Sequence, residues 1–218
     1  MTSTTGSMPI PPLPPDFFNR DVLAVARDLL GQRLVRSLDG QRVSGLISEV
    51  EAYRGEEDLA CHARAGRTPR TEVMYGAPGL AYVYFTYGMH WLLNAVCGPV
   101  GYPSAVLVRA IRPLEGVEII AANRPNVAPA LWTNGPGKIC RALQIDGQHN
   151  GRPLTAVESG LWIEPGEPVP DDQVQTGPRV GIDSVPEPWL SMPWRFQISA
   201  RPAKNLPRNP HPNPPSMV

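Results

Sequence analysis

Lysine is nearly missing from this chain. Lys138 and Lys204 are the only two among 218 residues, so a mechanism built on a Schiff-base lysine has almost no candidates. Cysteine is scarce as well. Cys61, Cys97 and Cys140 are odd in number, widely spaced and free of any CxxC or paired-histidine spacing, which argues against both a disulfide framework and a zinc site. They are expected to be reduced, buried thiols, and neither a metal nor a cofactor is expected. No apolar run approaches the roughly 20 residues that cross a bilayer, and the N-terminus lacks the basic, apolar and small-residue sections of a signal peptide. The expectation is a soluble, intracellular monomer with no membrane partner.

Several reaction signatures are also missing. Gly137-Lys138 sits in no phosphate loop, because position 132 is Trp where glycine is required and Ile139 stands where Ser or Thr should follow. There is no HxE with a later PCxxC, which removes zinc-dependent base deamination, and no GxSxG, which removes the nucleophile elbow of serine hydrolases.

Net charge is zero, but the average hides a pattern. Residues 1–60 carry six basic against nine acidic side chains, residues 61–141 eight against three, and residues 142–218 six against eight. The basic middle is where phosphate contacts are to be sought, with Arg64, Arg67, Arg70, Lys138 and Arg141 as candidates. A solvated basic surface is the ordinary alternative.

The ends, residues 1–15 and 207–218, are Pro-rich and poor in large apolar groups, and they read as disordered tails around a single domain at 16–206. Within it, Asn19 followed by RDVLAVARDLLG has a cap, an apolar stripe and Gly31 as a stop, and predicts a helix. Asp39-Gly40 joins two strand-like segments, QRLVRSL and QRVSGLISEVEAY, as a tight hairpin. Residues 61–79 read as a polar, basic loop. Leu80–Phe85 and His90–Cys97 predict a second hairpin with Thr86-Tyr87-Gly88-Met89 at its tip. SAVLVRAIR is a further strand, PLEGVEIIAANR a helix begun by its proline, and NGPGKICRALQI a short helix capped by Asn134 or Gly135. The remainder to Ile198 reads as short strands. Strands arriving in hairpins give an α+β domain on a curved, mainly antiparallel sheet, with one protruding β-hairpin and flanking helices.

The chemistry centres on SEVEAY. In a regular strand Glu49 and Glu51 share a face with Val43 and Ile47, which puts a carboxylate at the rim of an apolar surface, where a general base could form. A lone glutamate is more often solvated or paired with an arginine. Tyr53 faces the same way as Glu51, and His62 follows through an acidic GEED turn. A carboxylate, rings and a basic loop in this order match how proteins hold single or extruded nucleotides.

Glu51-Ala52-Tyr53, His62, TPR at 68–70, YVYFTYGMHWLLN within 80–94, VLVRAIRPLEG at 106–116, GPGKICRAL at 135–143 and RVGI at 179–182 occur in order. Together they resemble the alkyladenine (3-methyladenine, 3-methylpurine) DNA glycosylase family over roughly Phe18 to Arg208. His90, where members often carry another aromatic, and the ending SARPAKNLPR depart from the pattern. The resemblance implies a metal-free, monofunctional base-excision-repair enzyme that binds double-stranded DNA, flips out damaged purines and hydrolyses the N-glycosidic bond. It implies substrates of the 3-methyladenine, 7-methylguanine, hypoxanthine and ethenoadenine class. Residue by residue, it implies that Glu51 is the general base and that Arg109 and the Val180 carbonyl help hold its water. Tyr53 would stack on one face of the base, with His62 and Tyr84 on the other, and the His62 main chain would donate to the purine edge. Asn94 would exclude guanine, and Tyr87 with Met89 would fill the gap in the duplex. A cationic alkylated base would gain cation–π attraction between such rings. A non-catalytic reader of damaged or distorted DNA, using the same wedge and pocket, is the rival expectation.

Overall fold

The computed structural model describes residues 10–199. The expected C-terminal tail at 207–218 and residues 1–9 of the N-terminal one lie outside them. The last residues assigned to the N-terminal tail are part of the domain: Leu13 is buried, and its amide donates to the Ile163 carbonyl at 2.8 Å.

A short helix α1 (Pro15–Phe18) precedes α2 (Val22–Leu29). The cap is Asp21 rather than Asn19: its carboxylate accepts the Leu23 amide at 2.9 Å, the ordinary way a first-turn N–H is satisfied. Gly31, at φ +86°, ends the turn after α2 as its sequence position predicts. Eight strands then build one sheet: β1 (Arg33–Leu38), β2 (Gln41–Arg54), β3 (Ala81–Thr86), β4 (His90–Val96), β5 (Ser104–Glu115), β6 (Leu161–Glu164), β7 (Val174–Gly177) and β8 (Arg195–Ile198). The main path runs β3-β4-β5-β2-β1-β6, with β8 joining β2 and β7 joining β8, and every pairing is antiparallel. The domain is α+β on an open, curved sheet. Along one edge of β2, β1 pairs from Gln41 to Leu46 and β8 takes over from Glu49 to Glu51.

The helix expected from Pro113 begins later. β5 continues through Pro113 to Glu115, and α3 spans Val117–Asn123. The pairing of β4 with β5 has ended by Leu107, so the N–H that Pro113 lacks interrupts no ladder on that side. The second short helix is α4 (Pro136–Ala142), with Gly135 as its N-cap. Beyond Leu143 the chain is less strand-rich than its sequence reads, with 3-10 turns and loops around β6, β7 and β8.

Two register shifts between β2 and β5 overturn the facing expected for SEVEAY: from Ile47–Ile111 to Glu49–Ala110 the extra residue is on β2, and from Glu49–Ala110 to Val50–Val108 it is on β5. A bulge adds a residue and reverses the alternation beyond it. Val43 and Ile47 are therefore followed in the same apolar core by Val50 and Ala52, while Glu51 turns to the opposite face. Past that point the alternation is clean. Val50, Ala52, Ala81, Val83, Leu93, Ala95, Val106 and Val108 meet α2 and α4 on one face. Tyr53, Tyr82, Tyr84, Leu92, Asn94, Ala105, Leu107 and Arg109 line a cavity on the other. The segment 61–79 is more than a polar loop. Cys61, Ala63, Met74 and Tyr75 are buried in 3-10 turns against Tyr82, Val96 and Ala105, making a second small core beside the cavity.

Candidate active site

Glu51 is fully buried and takes three hydrogen bonds. Oε1 accepts the Val180 amide at 2.7 Å, while Oε2 accepts the Tyr53 hydroxyl at 2.9 Å and Arg109 Nη1 at 3.2 Å. Each of those three donors lines a cavity of about 300 Å³ whose walls include Tyr53, His62, Tyr82, Tyr84 and Asn94. Local geometry explains the convergence. Tyr53 lies two residues beyond Glu51 on the same strand, and Leu107, directly opposite Glu51, puts Arg109 one pleat further along on the same face. Arg109 also gives Nε to Glu49 Oε1 at 2.9 Å, and Arg195 of β8 reaches the same oxygen at 3.4 Å.

Burial acts on both partners. It pushes the Glu51 carboxyl above its ordinary value, against the opposing pull of Arg109, the Val180 amide and Tyr53. On Arg109 burial acts downward, but Glu51 and Glu49 more than restore the guanidinium. Tyr53 is held well above its usual value by burial and then by Glu51, so its hydroxyl stays a donor. The result is a carboxylate made more basic next to a permanent cation, the arrangement that proton abstraction from water calls for.

The rings are fixed from behind. His62 Nδ1 and the Tyr82 hydroxyl are 2.9 Å apart, and His62 meets Tyr84 edge-on at 4.5 Å between centroids. Burial, then the nearby Arg70 and Arg64, lower the His62 pKa to about 4, so the imidazole is neutral at neutral pH. Asn94 donates Nδ2 to the Tyr82 carbonyl at 3.0 Å, which locks its side chain at the cavity wall. At the end of the β3–β4 hairpin Tyr87 is 81% exposed and Met89 67% exposed. Tyr87 and Gly88 both have positive φ, 51° and 66°, and the Met89 amide closes the turn on the Thr86 carbonyl at 3.1 Å.

The methylpurine-DNA glycosylase (MPG) family profile matches residues 16–202. The chain belongs to that family. Relatives named "Putative 3-methyladenine DNA glycosylase" agree with it along most of their length. The one from Myxococcus xanthus is 45% identical over 200 residues, covering 92% of this chain and 95% of its own. Those from Desulfitobacterium hafniense and Bacillus thuringiensis are 48% and 45% identical over 192 and 198 residues, covering 84% and 87% of this chain and 93% and 96% of theirs. The protein is thus a DNA glycosylase, a hydrolase of base-excision repair that acts on damaged DNA, rather than a non-catalytic reader.

For this methylpurine-DNA glycosylase, the basic residues nominated for the DNA backbone are dispersed. Arg64, Arg67 and Arg70 lie on the segment 61–79, while Lys138 and Arg141 sit on α4. Arg67 pairs with Glu72 at 2.9 Å and Lys138 donates to Asn134 Oδ1 at 2.8 Å, both near the surface. Arg70 is laid over the Tyr84 ring at 5.1 Å. The departing residue His90 packs on the start of α4, where a Cβ at Gly137 would come within 2.9 Å of its ring. All three cysteines are free and buried, as expected. Among the described residues no helix is long and apolar enough to cross a membrane.

One pair in the glycosylase site escaped sequence reasoning. Asp58 and Arg179, 121 residues apart, have wholly buried side chains and are joined by two hydrogen bonds, at 2.5 and 2.9 Å. Arg179 Nη1 also reaches the Ala52 carbonyl at 3.0 Å, and its guanidinium lies between the rings of Tyr53 and Trp194, at 4.8 and 5.0 Å. One guanidinium thereby fixes a wall of the cavity and the residue preceding Val180. The available signals were Arg179 at the head of RVGI and Asp58 at the end of the acidic GEED turn.

Proposed function

We propose that this glycosylase hydrolyses the N-glycosidic bond of a purine lesion rotated out of duplex DNA, with Glu51 as general base. The observation that carries the reading is the bonding of Glu51. A carboxylate offers about four lone-pair sites, and protein donors fill three, which leaves one for a water held by Arg109 and the Val180 main chain. Glu51 takes a proton from that water, the oxygen attacks C1′ of the sugar, and the bonding pair leaves with the base. The product is an abasic site in an intact strand. An oxocarbenium-like sugar gains from a nearby carboxylate, as in glycoside hydrolysis.

In this reading Tyr53 covers one face of the flipped base, and His62 and Tyr84 the other, with the His62 main chain donating to the purine edge. Asn94 stands where a guanine 2-amino group would fall, and so rejects normal guanine. Tyr87 and Met89 enter the minor groove and fill the gap, as apolar wedges do. Arg64, Arg67, Arg70, Lys138 and Arg141 supply phosphate contacts. The substrate class is 3-methyladenine, 7-methylguanine, hypoxanthine and ethenoadenine, and extrusion is easiest where pairing is already weak.

The test is base release from duplexes carrying each of these lesions. Glu51→Gln is expected to lower release about 10²- to 10⁴-fold with lesion binding retained, and normal turnover by that variant would sink the mechanism. Borohydride is expected to trap no protein–DNA adduct, and a trapped adduct would instead identify a lyase.

A further inference from the structure

Two of the rings that wall the cavity are already engaged by cations from outside it. Arg179 Cζ lies 4.8 Å from the centroid of Tyr53 and Arg70 Cζ 5.1 Å from that of Tyr84, yet neither arginine lines the cavity. The negative face of an aromatic ring attracts a cation through its quadrupole. A ring that already carries a guanidinium on one side offers a second cation weaker attraction on the other, along with direct repulsion.

The surrounding charges do not reverse this. The carboxylates Glu49, Glu51 and Asp58 are each already paired: Glu49 with Arg109 and Arg195, Glu51 with Arg109, Asp58 with Arg179. Asp58 screens Arg179 from behind, so the guanidinium end of that pair is the one presented to Tyr53. Among the described residues Arg64 and Arg70 form no ion pair, and both border a second cavity that shares His62 with the first. The protein contains its own trial of this environment. His62, a weak base set in the wall, has lost its tendency to charge through burial and through Arg70 and Arg64.

We infer that the cavity selects purine lesions without a formal charge over lesions that are cations, so that hypoxanthine and ethenoadenine bind in preference to N-alkylated purines of similar size. The inference rests on the function proposed above and reverses the order expected from cation–π attraction alone. It concerns affinity of the pocket. Cationic bases still depart readily once bound, because their glycosidic bond is intrinsically weak.

The experiment compares two duplexes bound by the full chain at mildly acidic pH. One carries a 2′-fluorinated 7-methylguanine nucleotide, which resists cleavage and keeps its positive charge; the other carries its uncharged 7-deaza counterpart of the same shape. The uncharged form is expected to bind about three- to tenfold tighter, comparable to the strength of a single cation–π attraction. Arg70→Gln, at an exposed position, is expected to shrink that ratio. Equal or tighter binding of the cation, or an unchanged ratio in Arg70→Gln, overturns the inference. Release of hypoxanthine, measured alongside, separates the two failures: with release intact only charge selection falls, whereas no release from any lesion removes the functional reading and charge selection with it.

Discussion

The two faces of the sheet are written by the same strands, and they differ in what burial does to them. On β5, Val106 and Val108 go to the helices, while Ala105, Leu107 and Arg109 go to the cavity. The helical face holds aliphatic side chains, each worth roughly 1.5–3 kcal/mol when buried. The cavity face buries Glu51, Asp58 and Arg179, charged groups whose removal from water costs free energy that close pairing only partly offsets. One face generates stability and the other consumes it in holding a basic carboxylate away from solvent, the usual trade between stability and activity.

The largest break in that comparison is expected at Asp58→Ala, which leaves the Arg179 guanidinium buried without its carboxylate. A cost of about 3–5 kcal/mol should appear in urea unfolding, together with a lower rate in the molecules that remain folded, because Tyr53 and Val180 lose their anchor. Ile47→Ala, on the helical face, is expected to cost about 2–4 kcal/mol while base release per folded molecule stays at the wild-type level. A rate loss in Ile47→Ala matching that of Asp58→Ala would erase the distinction between the faces.

Smaller effects sharpen it. His62 has a folded pKa of about 4 against an unfolded value near 6.5. Its neutral form is favoured in the folded state, so its contribution is complete above about pH 6.5 and is lost as pH falls toward 4. Thermal melts of wild type and His62→Gln should therefore converge on acidification, by roughly 2 kcal/mol at about pH 5, and parallel curves would contradict the burial of a neutral imidazole. Tyr87→Ser is expected to change stability by less than about 0.5 kcal/mol, because the ring touches water rather than core. Lesion binding and release should nevertheless fall by about tenfold, and unchanged affinity and rate would refute the wedge.

What the sequence made legible follows from range. Asp39-Gly40 and Tyr87-Gly88 both form tight turns with positive φ, because turn chemistry is local. The α2 stripe and the Gly31 stop are local too. The bulge in β2 has no such signature: SEVEAY looks like any alternating strand, and only the pairing with β5 reveals the extra residue that sends Glu51 to the cavity face. Arg179 was visible as a letter in RVGI, but a partner 121 residues away was not. Segment 61–79 misled for a related reason. Its polar, Gly- and Pro-broken composition describes its surface, while Cys61, Met74 and Tyr75 meet residues of β3, β4 and β5 that local reading cannot supply.

Tyr87 also marks where this protein conflicts with any attempt to make it sturdier. A bulky side chain in the left-handed region costs about 1–2 kcal/mol, and the turn it occupies favours Asn or Gly, so a screen for thermal tolerance would replace it among the first. The variants so recovered are expected to melt higher and repair less, which makes this position a natural counter-selection when the enzyme is evolved for heat resistance.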